Sequence, residues 1–290
     1  MPQLNYLSPT SAEEAVRALA AGGGSARPLS GGTDLLVQLR SGRIKPAAIV
    51  DLKRIPGMIG IREEAGGFVI GAATSGAQIG EHAGLCKAWP GVVEGMNLIG
   101  STQVQGRATL AGNLCNASPA ADSVPAMIAA GAIAVVVGSK GKREVPVEEI
   151  PVSPGRTSLA ADEFVLEVRL PARPARSSDA YQRLIPRTEM DIAVVGAGVS
   201  LALDAGGVIT SARVSLGAVA PTALLVSDAA TAIVGTKLDA AALDALDAAA
   251  RAAARPISDK RGTVEYRVKI AGVLARRVAA VAYERAEKRA

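Results

Sequence analysis

One stretch sets the tightest condition on the fold: Arg107-Ala108-Thr109-Leu110-Ala111-Gly112-Asn113-Leu114-Cys115-Asn116-Ala117-Ser118-Pro119-Ala120-Ala121-Asp122. It has few large side chains and many short polar groups, namely Thr109, Gly112, Asn113, Asn116 and Ser118. An apolar run from Val124 to Val137 follows at once, with Asp122 or Ser123 placed to cap a short helix. Small residues let a backbone come close to a ligand, and the free N–H groups at a helix start favour an anion. A second stretch, Leu29-Ser30-Gly31-Gly32-Thr33-Asp34-Leu35-Leu36, has the same character and leads into an apolar-periodic helix with Leu35, Leu36 and Leu39. A Gly-Gly turn before a helix is by itself ordinary punctuation. Two such loops in one chain suit the two ends of one diphosphate-bearing cofactor, provided that the fold brings them together.

Composition narrows the partners. Hydrophobic residues make up 49% of the chain and charged residues 20%, enough for a proper core across 290 residues in two domains, or in one with subdomains. Alanine and valine must carry that core, because aromatics are only 2%. The 32 Lys and Arg against 27 Asp and Glu leave a formal charge of +5, spread along the chain. With neither stacking aromatics nor a concentrated basic patch, nucleic acid is set aside as a partner. Cys86 and Cys115 are the only cysteines and form no CxxC, which argues against a disulfide framework, an iron–sulfur cluster or a structural zinc in this chain. Met1-Pro2-Gln3-Leu4 lacks a basic start followed by an apolar core, so no signal peptide is read there. No apolar run reaches the ~20 residues of a membrane span. A cytoplasmic protein without stable membrane insertion is expected.

Taken in order, the chain opens with a capping box at Ser11-Ala12-Glu13-Glu14 and a helix through Leu19, stopped by Gly22-Gly23-Gly24. A strand over 26–29, a helix over 34–40 and a strand over 47–52 make a compact β-α-β unit, with Pro56-Gly57 as its boundary. The next unit has strands over 67–71, 132–137 and 163–170, and helices after Thr74 or Ser75 and over 89–99. Pro171 to Ser178 reads as a linker. Beyond it, 191–204 and 213–220 read as paired strands, 240–254 as an alanine-rich helix, and 266–288 as an amphipathic helix with Ile270, Val273, Leu274, Val278 and Val281 on one stripe. The expected division is 1–57, 58–175 and 178–290.

Other chemistries find little support. Ala193 to Leu201 offers a strand followed by GxG, but Leu201 stands in place of the third glycine and the alternation simply continues, so a dinucleotide fold is not expected. Gly138-Ser139-Lys140-Gly141-Lys142 lacks P-loop spacing. His82 is the only histidine and lies far in sequence from both glycine loops; a surface or half-buried helix position fits it better than catalysis. HExxH is thereby impossible, GxSxG is absent, and no metal site or catalytic residue is assigned.

In full wording, GGTDLL followed by TLAGNLCNASPAADSVPA resembles the FAD-binding (medium) subunit of the molybdenum hydroxylases, the carbon monoxide dehydrogenase and xanthine dehydrogenase family. The resemblance continues through IVDLKRIPG (49–57), FVIGAATS (68–75), YQRLIPRTEMDIAVVGAGVSLAL (181–203) and SDKRGTVEYR (258–267), and so covers nearly the whole chain. It implies an α+β fold: a two-lobed FAD-binding domain of the vanillyl-alcohol-oxidase type, then a smaller C-terminal α/β domain of the CO dehydrogenase flavoprotein type. It also implies non-covalent FAD, with the molybdenum cofactor and the [2Fe–2S] clusters on a large and a small partner subunit in a dimer of heterotrimers. The function implied is to pass electrons from those clusters through FAD to an external acceptor. The missing cysteines agree with that division.

Carried over residue by residue, the diphosphate would lie against Pro28, Leu29, Ser30, Gly31, Gly32, Thr33, Asp34 and Leu35 on one side, and Thr109, Leu110, Ala111, Gly112, Asn113 and Asn116 on the other. The Thr109 hydroxyl and the Asn113 amide would act as side-chain donors. Asp122 would accept from ribityl or ribose hydroxyls, as an ionised carboxylate can. Ile99 and Val165 would line the flavin, and Gln182 falls where several relatives carry a lysine. Three departures stand out. Ala111 replaces the first of two glycines, which suits a negative φ, with the close approach left to Gly112. Val104-Gln105-Gly106 replaces Ile-Arg-Asn and so loses a basic group. Asp34 puts a carboxylate near the phosphates, where it reads as a first-turn acid favoured by the helix dipole. Two other classes remain as alternatives: a self-sufficient flavin oxidase of the same fold, which needs its own acid–base group, and a scaffold that has lost its flavin.

Overall fold

The computed structural model describes residues 4–289; Met1 to Gln3, where no leader was read, lie outside the described residues. Three larger sheets organise the described residues, beside a two-stranded one, Pro151–Ser153 with Arg156–Thr157. The first is a parallel sheet in the order Asn5–Leu7, Ala48–Asp51, Ala26–Leu29. Its central strand is buried at all four positions, which is why Ala48, Ile49 and Val50 are apolar without alternation before Asp51 ends the strand. Helix Ala12–Ala21 buries Ala15, Val16 and Leu19 beside it. Only half of the expected capping box forms: Ser11 Oγ accepts from the Glu14 N–H at 3.2 Å, while the Glu14 carboxylate turns to the Thr10 N–H at 2.8 Å.

The second sheet is antiparallel, in the order Ile61–Glu64, Gly67–Gly71, Phe164–Leu170, Ile133–Gly138, Gly141–Pro146. A helix expected after Ser75 is two helices, Gly76–Glu81 and Ala83–Ala88. His82 sits at the junction, where its Nδ1 accepts from the Leu85 N–H at 3.1 Å and its ring meets Phe68 edge-on at 5.9 Å. That hydrogen bond gives the lone histidine a helix-capping role.

The third sheet, also antiparallel, runs Ser177–Leu184, Val195–Leu203, Ile209–Gly217, Leu224–Leu225. Helices Ala240–Ala253 and Val264–Glu287 pack with it into a second apolar cluster. The buried stripe of the long helix is finer-grained than expected. Ala271, Gly272, Leu274, Ala275, Val278, Ala279, Ala282 and Ala286 are buried, whereas Ile270 and Val281 pack at the edge. Small residues let the helix lie close to its neighbours. Gly272 leaves no room for a side chain, since a Cβ there would be 2.5 Å from Asp247 Oδ1.

Helix Ser123–Ala130 is buried at every position and lies between the second and third units, with Ser215 Oγ donating to the Pro125 carbonyl at 2.6 Å. This explains both an apolar run with no polar face and the GxG of the strand beside it. A Cβ on Gly198 would meet Pro125 O at 2.9 Å, and one on Gly196 would meet Tyr181 Oη at 2.5 Å. These glycines permit close packing inside a continuous strand.

The expected linker is also ordered differently. Ser177 and Ser178 already belong to a strand, and Arg173 is held by Asp179 Oδ1 at 2.6 Å with its guanidinium 3.6 Å over the Trp89 ring. Burial pushes the Asp179 carboxyl up to about 6, against the pull of Arg173.

Candidate functional site

The first glycine loop leaves its strand at Leu29 and enters helix Leu35–Arg40 through Ser30 to Asp34. Gly32 has φ +82°, a conformation open to glycine at little cost, and its carbonyl accepts the first helical hydrogen bond, from the Leu36 N–H at 3.0 Å. Among the described residues, no N–H from Gly31 to Leu35 donates to a protein acceptor. Asp34 occupies the cap position, but its side chain makes no capping hydrogen bond.

The second loop contains a short helix, Leu110–Cys115, that periodicity did not reveal. Thr109 caps it, with Oγ1 accepting from the Gly112 N–H at 2.9 Å, so the N–H groups of Leu110 and Ala111 are left over. The Thr109 hydroxyl keeps its own proton to donate. Asn113 Oδ1 accepts from Ser123 Oγ at 2.7 Å, which leaves its NH2 group as a donor. Ala111 has no positive φ, so its methyl group is accommodated within the first helical turn. Gln105, in place of a basic residue, ties the chain by donating to the carbonyls of Asn97 at 2.6 Å and Ile99 at 3.3 Å.

The two loops meet. A Cβ on Gly31 would stand 2.0 Å from the Arg107 carbonyl oxygen, so the backbones touch only because that residue is glycine. Arg107 Nε donates to Gly31 O at 3.4 Å, and Gln38 Nε2 donates to Asn116 Oδ1 at 3.1 Å. Between them opens a cavity of about 1060 Å³, at the upper end of the ~300–1,000 Å³ usual for ligand clefts. Pro28 to Leu35, Ile99, Thr109, Ala111, Gly112, Asn113, Asn116 and Val165 all line it.

Three expected residues do not line the cavity. Leu110 is in the core at 2% exposure. Gln182, half-buried, lies in the third sheet opposite Ala197. Asp122 occupies the cap position of helix Ser123–Ala130 without a side-chain capping hydrogen bond, and it does not line the cleft: its carboxylate takes a hydrogen bond from Tyr181 Oη at 2.9 Å and an ion pair from Arg183. Both oxygens are thus engaged by the third unit. Burial pushes this carboxyl up to about 6, against the opposing pull of Arg183 and Tyr181.

Sequence reasoning missed one wall and two cations. Residues Pro154, Gly155, Thr157, Leu159, Ala160, Ala161, Glu163 and Phe164 also line the cavity, and the Gly155 N–H ties this segment to the second loop at Ala117 O, 3.0 Å away. Arg27 and Arg43 bring positive charge to the lining. No motif marked them, since each is a single arginine beside an expected element. Cys115 also lines the cavity; burial pushes its thiol up to about 12, so it stays protonated and a poor nucleophile at neutral pH. Among the described residues, no three His, Cys, Asp or Glu are grouped to hold a metal ion, and no helix is long and apolar enough to cross a membrane.

Comparison with known proteins gives matches over the whole chain. Residues 2–173 match the family model described as FAD binding domain in molybdopterin dehydrogenase, and residues 156–282 match the CO dehydrogenase flavoprotein C-terminal domain. The carbon monoxide dehydrogenase medium chain of Afipia carboxidovorans is 36% identical over 286 residues, 99% of this chain and 97% of the relative. The xanthine dehydrogenase FAD-binding subunit of Escherichia coli O157:H7 is 28% identical, covering 87% of each chain. Among solved structures, a chain of the cyanide-inactivated Cu,Mo-CO dehydrogenase superposes with a TM-score of 0.93 at 35% identity, over 98% of this chain and 99% of that one.

Proposed function

This chain belongs to the family of FAD-binding subunits of the molybdopterin dehydrogenases, and from that premise we propose how it works. It is an oxidoreductase subunit of the CO dehydrogenase and xanthine dehydrogenase kind. FAD is its cofactor, held without a covalent bond. The observation that carries this reading is the cleft between two touching loops in which the N–H groups from Gly31 to Leu35 and that of Ala111 have no protein acceptor.

The residues present fit the cofactor. Gly31 to Leu35 present N–H donors to one side of a diphosphate, and Ala111 presents its own to the other, with the Thr109 hydroxyl and the Asn113 amide between. Ile99 and Val165 offer apolar contacts to a flat ring, and Arg27 and Arg43 add charge. When bound, FAD supplies electron transfer in steps of one or two, which suits a junction between one-electron clusters and an external acceptor. In this proposal the electrons come from [2Fe–2S] clusters on a small subunit, fed by a molybdenum cofactor on a large subunit, in a cytoplasmic dimer of heterotrimers. The lobes 1–57 and 58–175 and the C-terminal domain 178–290 are part of the same proposal, supported by the separate sheets.

A self-sufficient oxidase is disfavoured by the lining, which brings the carboxylates of Asp34 and Glu163 to the cavity but no histidine. The test is turnover. The purified chain should carry flavin absorbance yet oxidise no aldehyde, purine, carbon monoxide or aromatic acid until the molybdenum and iron–sulfur subunits are added. Substrate oxidation by the lone FAD-loaded chain, at the rate of the complex, would overturn the assignment; a colourless chain that FAD does not restore would instead indicate a scaffold.

A further inference from the structure

The free N–H groups of the first glycine loop are aimed from behind. A peptide unit is planar and trans, so a carbonyl and the N–H that follows it point in opposite directions. The Ser30 carbonyl accepts from Lys53 Nζ at 3.2 Å. Lys53 is itself fixed, because its Nζ donates to Asp51 Oδ1 at 2.6 Å and its backbone N–H reaches the same oxygen at 3.1 Å. The other oxygen of Asp51 accepts from the Tyr6 hydroxyl. Asp51 ends the central strand of the parallel sheet, in register with Leu29, so its neighbour Lys53 stands beside the first residue of the loop.

Lys53 does not line the cavity. Its charge is matched by a nearly buried carboxylate, so its long-range pull on an anion is small. Burial alone would raise the Asp51 carboxyl, but the hydrogen bonds from Lys53 and Tyr6 outweigh it, and the group lies below the ordinary range, ionised at neutral pH.

Resting on the FAD reading above, we propose that Lys53, anchored by Asp51 and Tyr6, is a positioning residue for the diphosphate: by holding the Ser30 carbonyl it turns the Gly31 N–H away from itself and into the cleft. Without it the peptide between Ser30 and Gly31 loses the hydrogen bond on its carbonyl, and a preformed donor becomes one that is ordered further on binding. Arg107, at 3.4 Å from the next carbonyl and exposed, exerts a weaker hold of the same kind on the Gly32 N–H.

The experiment compares FAD, ADP and riboflavin as probes of the apo full-length chain, by calorimetry, in Lys53→Met, Lys53→Arg and Tyr6→Phe. Lys53→Met should weaken FAD and ADP by about tenfold or more, as expected for losing a charge-assisted hydrogen bond that orders a donor. Riboflavin, which has no phosphate, should bind as it does to the parent, and Lys53→Arg should restore most of the ADP affinity. Tyr6→Phe removes one anchor from an exposed side chain and should weaken ADP by a smaller factor, which keeps the test alive if Lys53→Met does not fold. Unchanged ADP and FAD affinity in the folded Lys53→Met chain overturns the proposal. So does an equal loss of riboflavin, which would make Lys53 a prop of the whole fold. If the parent binds neither FAD nor ADP, the diphosphate reading of the cleft itself falls.

Discussion

Replacing Arg183 by methionine decides whether Asp122 belongs to the contact between units or to the ligand. The Arg183 side chain is 4% exposed and that of Asp122 8%. Methionine keeps much of the aliphatic length and removes the cation, leaving the carboxylate buried with Tyr181 Oη as its one remaining side-chain donor. Breaking a buried pair from one side costs about 3–5 kcal/mol. Protonation limits that loss. The Asp122 carboxyl is held up to about 6 in the folded chain against 3.8 as its ordinary value, so its contribution to stability is full below about pH 4 and is lost as the pH rises through 6. Removing the arginine raises the folded value further and moves that window upward.

We therefore expect a loss of about 3 kcal/mol at pH 7, or an apparent melting point lower by about 6 °C or more. The gap to the parent should narrow by roughly 1 kcal/mol at pH 5, where the variant's carboxyl is protonated. Urea unfolding followed by emission of Trp89, the one tryptophan, measures this at both pH values. The double variant Arg183→Met with Asp122→Leu should recover most of the loss, since an apolar pair needs no partner charge. A cost under about 1 kcal/mol at pH 7, far below that of a broken buried pair, would refute the reasoning. So would a fall in FAD affinity without a stability change, which would return Asp122 to the cleft.

Four other outcomes follow from the same geometry. Gly31→Ala should lower the melting point and abolish FAD binding together, because its Cβ would meet the Arg107 carbonyl at 2.0 Å; a variant that melts like the parent would show that the loops do not touch. Gly112→Val meets only the Thr109 hydroxyl, at 2.8 Å, so its affinity for FAD should drop by more than tenfold, over about 1.4 kcal/mol, while its melting point falls by only a few degrees. Acid precipitation of the holoprotein should leave all flavin in the supernatant, and Cys115 should resist a thiol reagent at pH 8 with its thiol held up to about 12; yellow colour kept in a washed pellet would point to covalent attachment.

Much of the architecture was legible because its signals are local. The glycine loops announce themselves by composition, and the buried strands Ala48–Asp51 and Ile133–Gly138 by the apolar runs Ala48 to Val50 and Ile133 to Val137. Strands Ile61–Glu64 and Gly141–Pro146 were not legible. Both are sheet edges, largely exposed, with charged residues on successive positions, so neither alternation nor an apolar run marks them. The partners of Asp122 were not legible for a different reason. Its sequence neighbours suggest a cap or a hydroxyl acceptor, while its partners lie 59 and 61 residues away on a strand whose own sequence, SSDAYQRL, reads as linker at its start. Spacing along one element cannot show which groups another element will bring.

The core beneath the cleft also constrains how a cofactor comes and goes. A single apolar cluster takes in Val16, Val50 and Leu52 from the first unit and Ile70, Leu110, Leu114 and Phe164 from the second, running under both loops. Swinging the two walls apart would tear that cluster open and expose apolar surface at roughly 25 cal/mol per Å². The cleft is therefore a slot with a fixed gauge and not a pair of jaws. We expect exchange of the cofactor to be little altered by motions of whole units. Affinity then draws on donors already in place before the cofactor arrives.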